Sequence, residues 1–192
     1  LILGPVKEAL RDASHPAGTR QLLERVLRNS LRLYNLINGI LDFSKAEAGR
    51  TSVRREIVDV IASAGAVVSD MQPLAGARQI ELGFSTALDS LTTALDLKLL
   101  ERILLNLIGN ALKFTPAGGR VQVSISLEGE AVRIEVADNG IGIARAAQER
   151  LFQPFAQVDS SATRKHEGTG LGLSLVKHFA EAQGGSVQIS RD

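Results

Sequence analysis

The sequence predicts an α+β chain: a helical hairpin over residues 1–48, half of a four-helix bundle, followed over 49–192 by an α/β sandwich with one helical layer on a mixed sheet. Three observations predict it. Apolar residues recur at helical spacing along two adjacent seams of residues 20–48. Mixed strand and helix patterns begin only after the break at Gly49 and Arg50. Two alternating runs, 121–127 and 132–137, are joined by Glu128-Gly129-Glu130, a connection short enough to force an antiparallel hairpin.

Taken in order, residues 1–13 read as a helix ended by the breaker cluster Ser14-His15-Pro16-Ala17-Gly18-Thr19. The second helix, about 20–48, carries Leu23, Leu27, Tyr34, Ile37 and Leu41 on one seam and Leu22, Val26, Leu33, Leu36, Ile40 and Phe43 on the other. A double seam is wider than a two-stranded coil needs and suits a helix buried on two sides of a bundle. One hairpin supplies two helices, so the expectation is a homodimer in which a second copy supplies the other two. The alternative is that both seams pack on the rest of the same chain. Beyond the break the patterns predict a strand at 53–58, a helix from 59 to about 75, a strand at 79–84, a short strand at 91–95 and a strongly apolar helix at 97–114. After the hairpin come a short helix at 145–150, a loop at 153–168, a helix at 171–183 and a last strand at 186–190.

Composition narrows the function classes. The 192 residues are 44% hydrophobic and 22% charged, ordinary for a chain with its own core. Twenty-two basic against 21 acidic residues leave a net charge of +1, which argues for no nucleic-acid surface. With no cysteine, disulfides and thiolate metal sites are excluded, in keeping with a reducing compartment. No apolar run approaches the ~18 residues of a membrane span, so no membrane contact is expected. Leu1-Ile2-Leu3-Gly4-Pro5 lacks the basic leader and long apolar centre of a signal peptide and an initiator Met, and the chain is read as a piece of a longer one.

Four stretches carry chemistry. Asp138-Asn139-Gly140-Ile141-Gly142-Ile143 follows a strand directly, and a carboxylate at a strand's end beside two glycines makes a floor for a polar-edged heterocycle such as adenine. Alone it is also an ordinary turn. Asn106, Asn110 and Lys113 fall on one face of the apolar helix, where amide oxygens suit Mg²⁺ and an ammonium suits phosphate. The competing reading is that the asparagines satisfy main-chain groups in the core. Gly168-Thr169-Gly170-Leu171-Gly172-Leu173 opens a helix, and amides at a helix start form a phosphate site. Its glycines alternate and no Lys-Ser/Thr follows, so it is neither a Walker loop nor a dinucleotide fingerprint. Phe152-Gln153-Pro154-Phe155 reads as an apolar hinge leading into a polar flap with Arg164, a plausible lid.

As a set these stretches resemble the ATP-binding domain of two-component sensor histidine kinases, within the ATPase superfamily shared with gyrase, Hsp90 and MutL. Asn106 to Thr115 resembles that family's N box, Asp138 to Ile143 its first glycine box, Phe152 to Phe155 its F box and Gly168 to Leu173 its second glycine box, in the family's order. Leu41-Asp42-Phe43-Ser44-Lys45-Ala46-Glu47-Ala48-Gly49 resembles the end of the second helix of the dimerisation and phosphoacceptor domain, so the likeness covers nearly the whole chain.

The resemblance implies ATP and Mg²⁺ as cofactors and assigns a nucleotide site: Asp138 on the adenine amino group; Gly140, Gly142 and Ile143 on the adenine floor; Asn110, with Asn106 nearby, on the metal; Lys113 on phosphates; Phe155 at the hinge; Gly168, Thr169, Gly170, Leu171 and Gly172 around the phosphates; and Arg164 reaching the terminal phosphate. It implies autophosphorylation of a histidine, transfer to an aspartate of a response regulator receiver domain, and a cytoplasmic location. In that family the acceptor sits in a box just before a segment like Leu1 to Pro5, which puts it outside this sequence. His15, in a Ser-His-Pro turn, is read as a solvated side chain, and His166 in the lid and His178 on the last helix as surface residues. The family fold would also continue beyond Asp192 into another strand, leaving a sheet edge to cover. Two other functions fit less of the chain: a gyrase-type ATPase, whose water-activating Glu is replaced by Asn106, and a non-enzymatic dimerisation or nucleotide-sensing module.

Overall fold

The computed structural model of the protein describes residues 2–12, 15–49, 51–148, 150–156 and 170–190. It divides into two compact units, 1–48 and 49–192. The first holds α1 (Leu3–Arg11) and α2 (Ala17–Glu47). Leu3, Val6 and Leu10 of α1 are half-buried at spacings of three and four, so they share one face. No residue of either helix is fully buried, and Leu22, Leu33, Tyr34, Ile37, Ile40 and Leu41 are exposed.

The second unit is built around α4 (Leu97–Phe114). Asp96 starts it, its carboxylate accepting from Leu99 N at 3.2 Å, a cap that satisfies one of the orphan amides of the first turn. Leu100, Leu104, Ile108 and Leu112 then recur every four residues and are almost wholly buried. They share the core with Val60, Ala64 and Val67 of α3 (Val60–Ala77) and with Val121, Val123 and Ile125, the inward-facing alternate residues of β4 (Arg120–Glu128). That sheet has the order β2 (Glu81–Thr86), β4, β5 (Ala131–Asp138), with β2 parallel to β4 and β5 antiparallel to it. Glu128 pairs with Ala131, so the hairpin turns on two residues, and Gly129 supplies the positive φ of 63° that the turn demands. A separate antiparallel pair joins β1 (Glu56–Asp59) to β3 (Thr92–Leu95). The helix α6 (Gly172–Ala182) packs on α4, with Phe179 buried under the Arg102 guanidinium 4.9 Å from its ring centroid. A short α5 (Arg145–Gln148) follows the Asp138 turn.

The expected α+β architecture is therefore present, with three corrections. The first strand begins at Glu56 rather than 53, because Arg54 N donates to the Asp96 carboxylate at 2.7 Å instead of to a neighbouring strand. The strand expected at 79–84 lies at 81–86, because Gln79, at φ 58°, is spent closing α3 in the left-handed turn that glycine usually makes. Residues 186–190 form no strand among the described residues: Val187 and Ile189 keep an alternating, half-buried pattern, but their backbone has no ladder partner. Among the described residues no helix is long and apolar enough to cross a membrane.

Candidate functional site

Two faces of α4 do different work. One is the core stripe; the other turns Asn106 and Asn110 toward the start of α6. Asn106 Nδ2 donates to the Arg102 carbonyl one turn back at 2.8 Å, which fixes the amide and leaves Oδ1 as its outward atom. That oxygen lies 2.8 Å from where a Cβ on Gly172 would stand, and Asn110 Nδ2 lies 3.8 Å from the same point. A side chain at Gly172 would press on the Asn106 amide, while the Asn110 amide stands at ordinary contact distance. The site therefore joins the Asn106 amide oxygen and the Asn110 amide to a helix N-terminus, where main-chain N–H groups and the dipole favour an anion.

At the other end of α4 the chain leaving β5 folds back over the helix terminus. Asp138 is exposed, and its Oδ1 accepts from Gly140 N at 2.9 Å, holding the turn that presents the carboxylate. Ile141 N donates to the Phe114 carbonyl at 3.3 Å, and a Cβ on Gly140 would stand 2.5 Å from that carbonyl oxygen. Gly142 follows with φ 68° and open space around it, so its glycine is required by conformation and Gly140 by contact. Asn139 braces the turn from below, its Oδ1 accepting from Arg120 N at 2.7 Å. Ile141 and Ile143 are left exposed beside it.

Lys113 is half-buried with its Nζ 4.7 Å from the Phe114 ring centroid. Burial, and then the positive charge of Arg78, lower its pKa from the ordinary lysine value. Arg78 donates to the Leu112 carbonyl at 2.8 Å, so two cations meet at the end of α4, an arrangement that a bound anion would relieve. A third close approach joins Gly170, at φ 70°, to the backbone of Phe155: a Cβ there would lie 2.8 Å from Phe155 Cα. Phe155 itself takes a φ of 60° and exposes most of its ring. Leu171 is buried and anchors the start of α6.

A family profile described as histidine kinase-, DNA gyrase B- and HSP90-like ATPase matches residues 95–192. The chain belongs to this ATPase family. Among its relatives, hybrid signal transduction histidine kinase D of Dictyostelium discoideum is 37% identical over 194 residues, covering 98% of this chain and 12% of that protein. The circadian input-output histidine kinase CikA of Synechococcus elongatus is 35% identical over 192 residues, 98% of this chain and 26% of CikA. The crystal structure of full-length ShkA in complex with AMPPNP superposes with a TM-score of 0.78 at 32% identity, over 95% of this chain and 38% of ShkA. The chain thus spans about an eighth to a quarter of the curated relatives named here. It is a catalytic domain of the histidine kinase kind, with a helical region before it.

Of the residues singled out from sequence, the ATPase-family fold brings Asn106 and Asn110 to Gly172, and Gly170 to Phe155. It sets Asp138, Gly140, Gly142 and Ile143 on one turn at the end of α4. Lys113 stands about one turn from Asn110 on α4. Arg164, Gly168 and Thr169, and the lid between the hinge and α6, lie outside the described residues. Sequence reasoning missed the floor of the site. Gly119 has Asn139 Oδ1 and the Pro116 carbonyl oxygen each 2.9 Å from where its Cβ would be, and the Thr115 methyl closer still. The paired Gly118-Gly119 was the available signal, since adjacent glycines mark a close backbone approach. Arg78 gave none, because its role depends on a contact 34 residues away.

Proposed function

We propose that this chain is the ATP-binding core of a sensor histidine kinase, which transfers the γ-phosphoryl group of ATP to a histidine and thence to an aspartate of a response regulator in the cytoplasm. The observation that carries the reading is the convergence of Asn106 and Asn110 on Gly172 at the start of α6, with the Asp138 turn locked onto the far end of the same helix. One helix thereby spaces an anion-and-cation site from a base site.

Asp138 accepts from the exocyclic amine of adenine; Gly140 and Gly142 keep the turn low enough for the ring; Ile143 flanks it. The main-chain amides of Gly170, Leu171 and Gly172 receive phosphate oxygens, with Lys113 neutralising charge and Gly168, Thr169 and Arg164 assigned by their motif positions. Among the described residues no three His, Cys, Asp or Glu side chains gather. Asn110, with Asn106 nearby, would hold Mg²⁺ through amide oxygens, hard donors that suit this ion. When bound, the metal supplies charge neutralisation. In the transfer, the bond between Pγ and the β–γ bridging oxygen breaks, ADP departs, and a phosphorus–nitrogen bond forms to the imidazole. Positioning and charge suffice for that chemistry. Asn106, an amide, cannot take a proton from water, which favours transfer over hydrolysis.

The exposed seam residues Leu22, Leu33, Tyr34, Ile37, Ile40 and Leu41 support a homodimer through α1 and α2. Calorimetric titration with AMPPNP and Mg²⁺ tests the site. Binding in the micromolar range is expected, weakened about tenfold or more in Asp138→Asn, the scale of a hydrogen bond to a charged group. A folded chain that binds no nucleotide overturns the reading. Transfer is tested on a chain extended upstream of Leu1, where labelled ATP should leave acid-labile phosphate on a histidine.

A further inference from the structure

Thr115, the residue that ends α4, holds a hydroxyl with no partner among the described residues. The residue is 6% exposed, and its Oγ1 is buried without a hydrogen bond to any described group. A buried unpaired hydroxyl is costly, and proteins seldom keep one when valine would fill the same volume. Its location narrows the explanation. Phe114, one residue earlier, accepts from Ile141 N through its carbonyl and is the atom against which Gly140 packs. The Thr115 methyl and Asn139 Oδ1 both crowd the slot where a Gly119 side chain would stand. Thr115 therefore lies among the residues that hold the Asp138 to Ile141 turn, next to Phe114 and across Gly119 from Asn139, while its oxygen is shut off from solvent.

We infer that Thr115 is a positioning residue for the base-binding turn: its hydroxyl gains its partner, a main-chain group of the turn or a water closed off beneath it, when a nucleobase occupies the Asp138 seat. The inference rests on the nucleotide reading above. With Oγ1 sealed, the base does not touch Thr115; the effect passes through the turn. Two side-chain oxygens of the turn already accept bonds, Asp138 Oδ1 from Gly140 N and Asn139 Oδ1 from Arg120 N. Seating a base changes the demands on the Asp138 carboxylate and so on the turn it holds, and the Thr115 hydroxyl is a buried group of that neighbourhood with no partner among the described residues.

The test compares the wild-type chain with Thr115→Val and Thr115→Ser, by calorimetric titration with Mg-AMPPNP and by thermal melting without ligand. Valine keeps the shape and removes the oxygen; serine keeps the oxygen. Thr115→Val is expected to melt at or above the wild-type temperature yet bind AMPPNP about tenfold more weakly, the scale of one hydrogen bond gained only in the complex, with Thr115→Ser restoring the affinity. Wild-type binding with an unchanged affinity in Thr115→Val overturns the inference and leaves the nucleotide reading intact. So does a loss of affinity that serine fails to restore, which would make the role one of packing. Absence of binding by the folded wild-type chain instead removes the nucleotide reading, and this inference with it.

Discussion

The helices α2 and α4 are both long and both amphipathic, but they end in opposite conditions. The first runs 31 residues and buries none of them, whereas α4 runs 18 and buries Leu99, Leu100, Leu104, Ile108, Ala111 and Leu112. The difference lies in the neighbours. Around α4 the chain supplies α3, β4, β5 and α6, so the apolar side chains of its core face gain the ~25 cal/mol per Å² of burial. Within its unit α2 has only the nine-residue α1, and seven of its eleven seam residues stay exposed. An apolar stripe tells where a helix wants a partner; it does not say whether the same chain provides it.

That comparison can be broken at either helix. The largest effect belongs to Leu104→Ala, which opens a cavity in a fully buried stripe and should remove about 2–5 kcal/mol of stability from the second unit in urea denaturation. Gly140→Ala comes next. Its new methyl meets a main-chain carbonyl rather than a flexible side chain, so the turn must move, at about 1–3 kcal/mol and with weakened AMPPNP binding by calorimetry. In α2, Leu33→Ala should change the stability of a dilute monomer by about 0.5 kcal/mol or less, since the residue is 57% exposed. At high concentration it should lower the dimer fraction in sedimentation equilibrium; an unaltered monomer–dimer balance would remove the proposed interface. The smallest effect is a pH dependence at Lys113. Burial and Arg78 lower its pKa, so the unfolded chain holds this proton to higher pH than the folded one. Its penalty on stability is thus full below the folded value and fades as pH rises through that value toward the ordinary one. Lys113→Met should be slightly more stable than wild type at pH 7, with the gap narrowing near pH 10, while binding AMPPNP more weakly.

Within the second unit the elements were legible because local chemistry and burial agree. Asp96 caps α4, every fourth residue is apolar, and Val121, Val123 and Ile125 alternate on β4 as the strand period requires. Where they parted, a long-range bond intervened: Arg54 N chose the Asp96 carboxylate over a strand partner, and Gln79 took a turn position that its sequence does not advertise. The strand expected at 186–190 had the right alternation, but alternation is a property of side chains and a ladder needs a second backbone.

Residue types and order alone determined the division into hairpin and sandwich, the helical face shared by Asn106, Asn110 and Lys113, and the Asp138 turn after a strand, because helical and strand periods are set by the backbone within a few residues. Only the tertiary structure decided that Gly172 must be bare to meet Asn106, that Gly140 must be bare to pass the Phe114 carbonyl, and that Arg78 and Thr115 belong to the same neighbourhood. Those facts are distances between segments far apart in the chain, and a distance is fixed only when the core between the segments is packed.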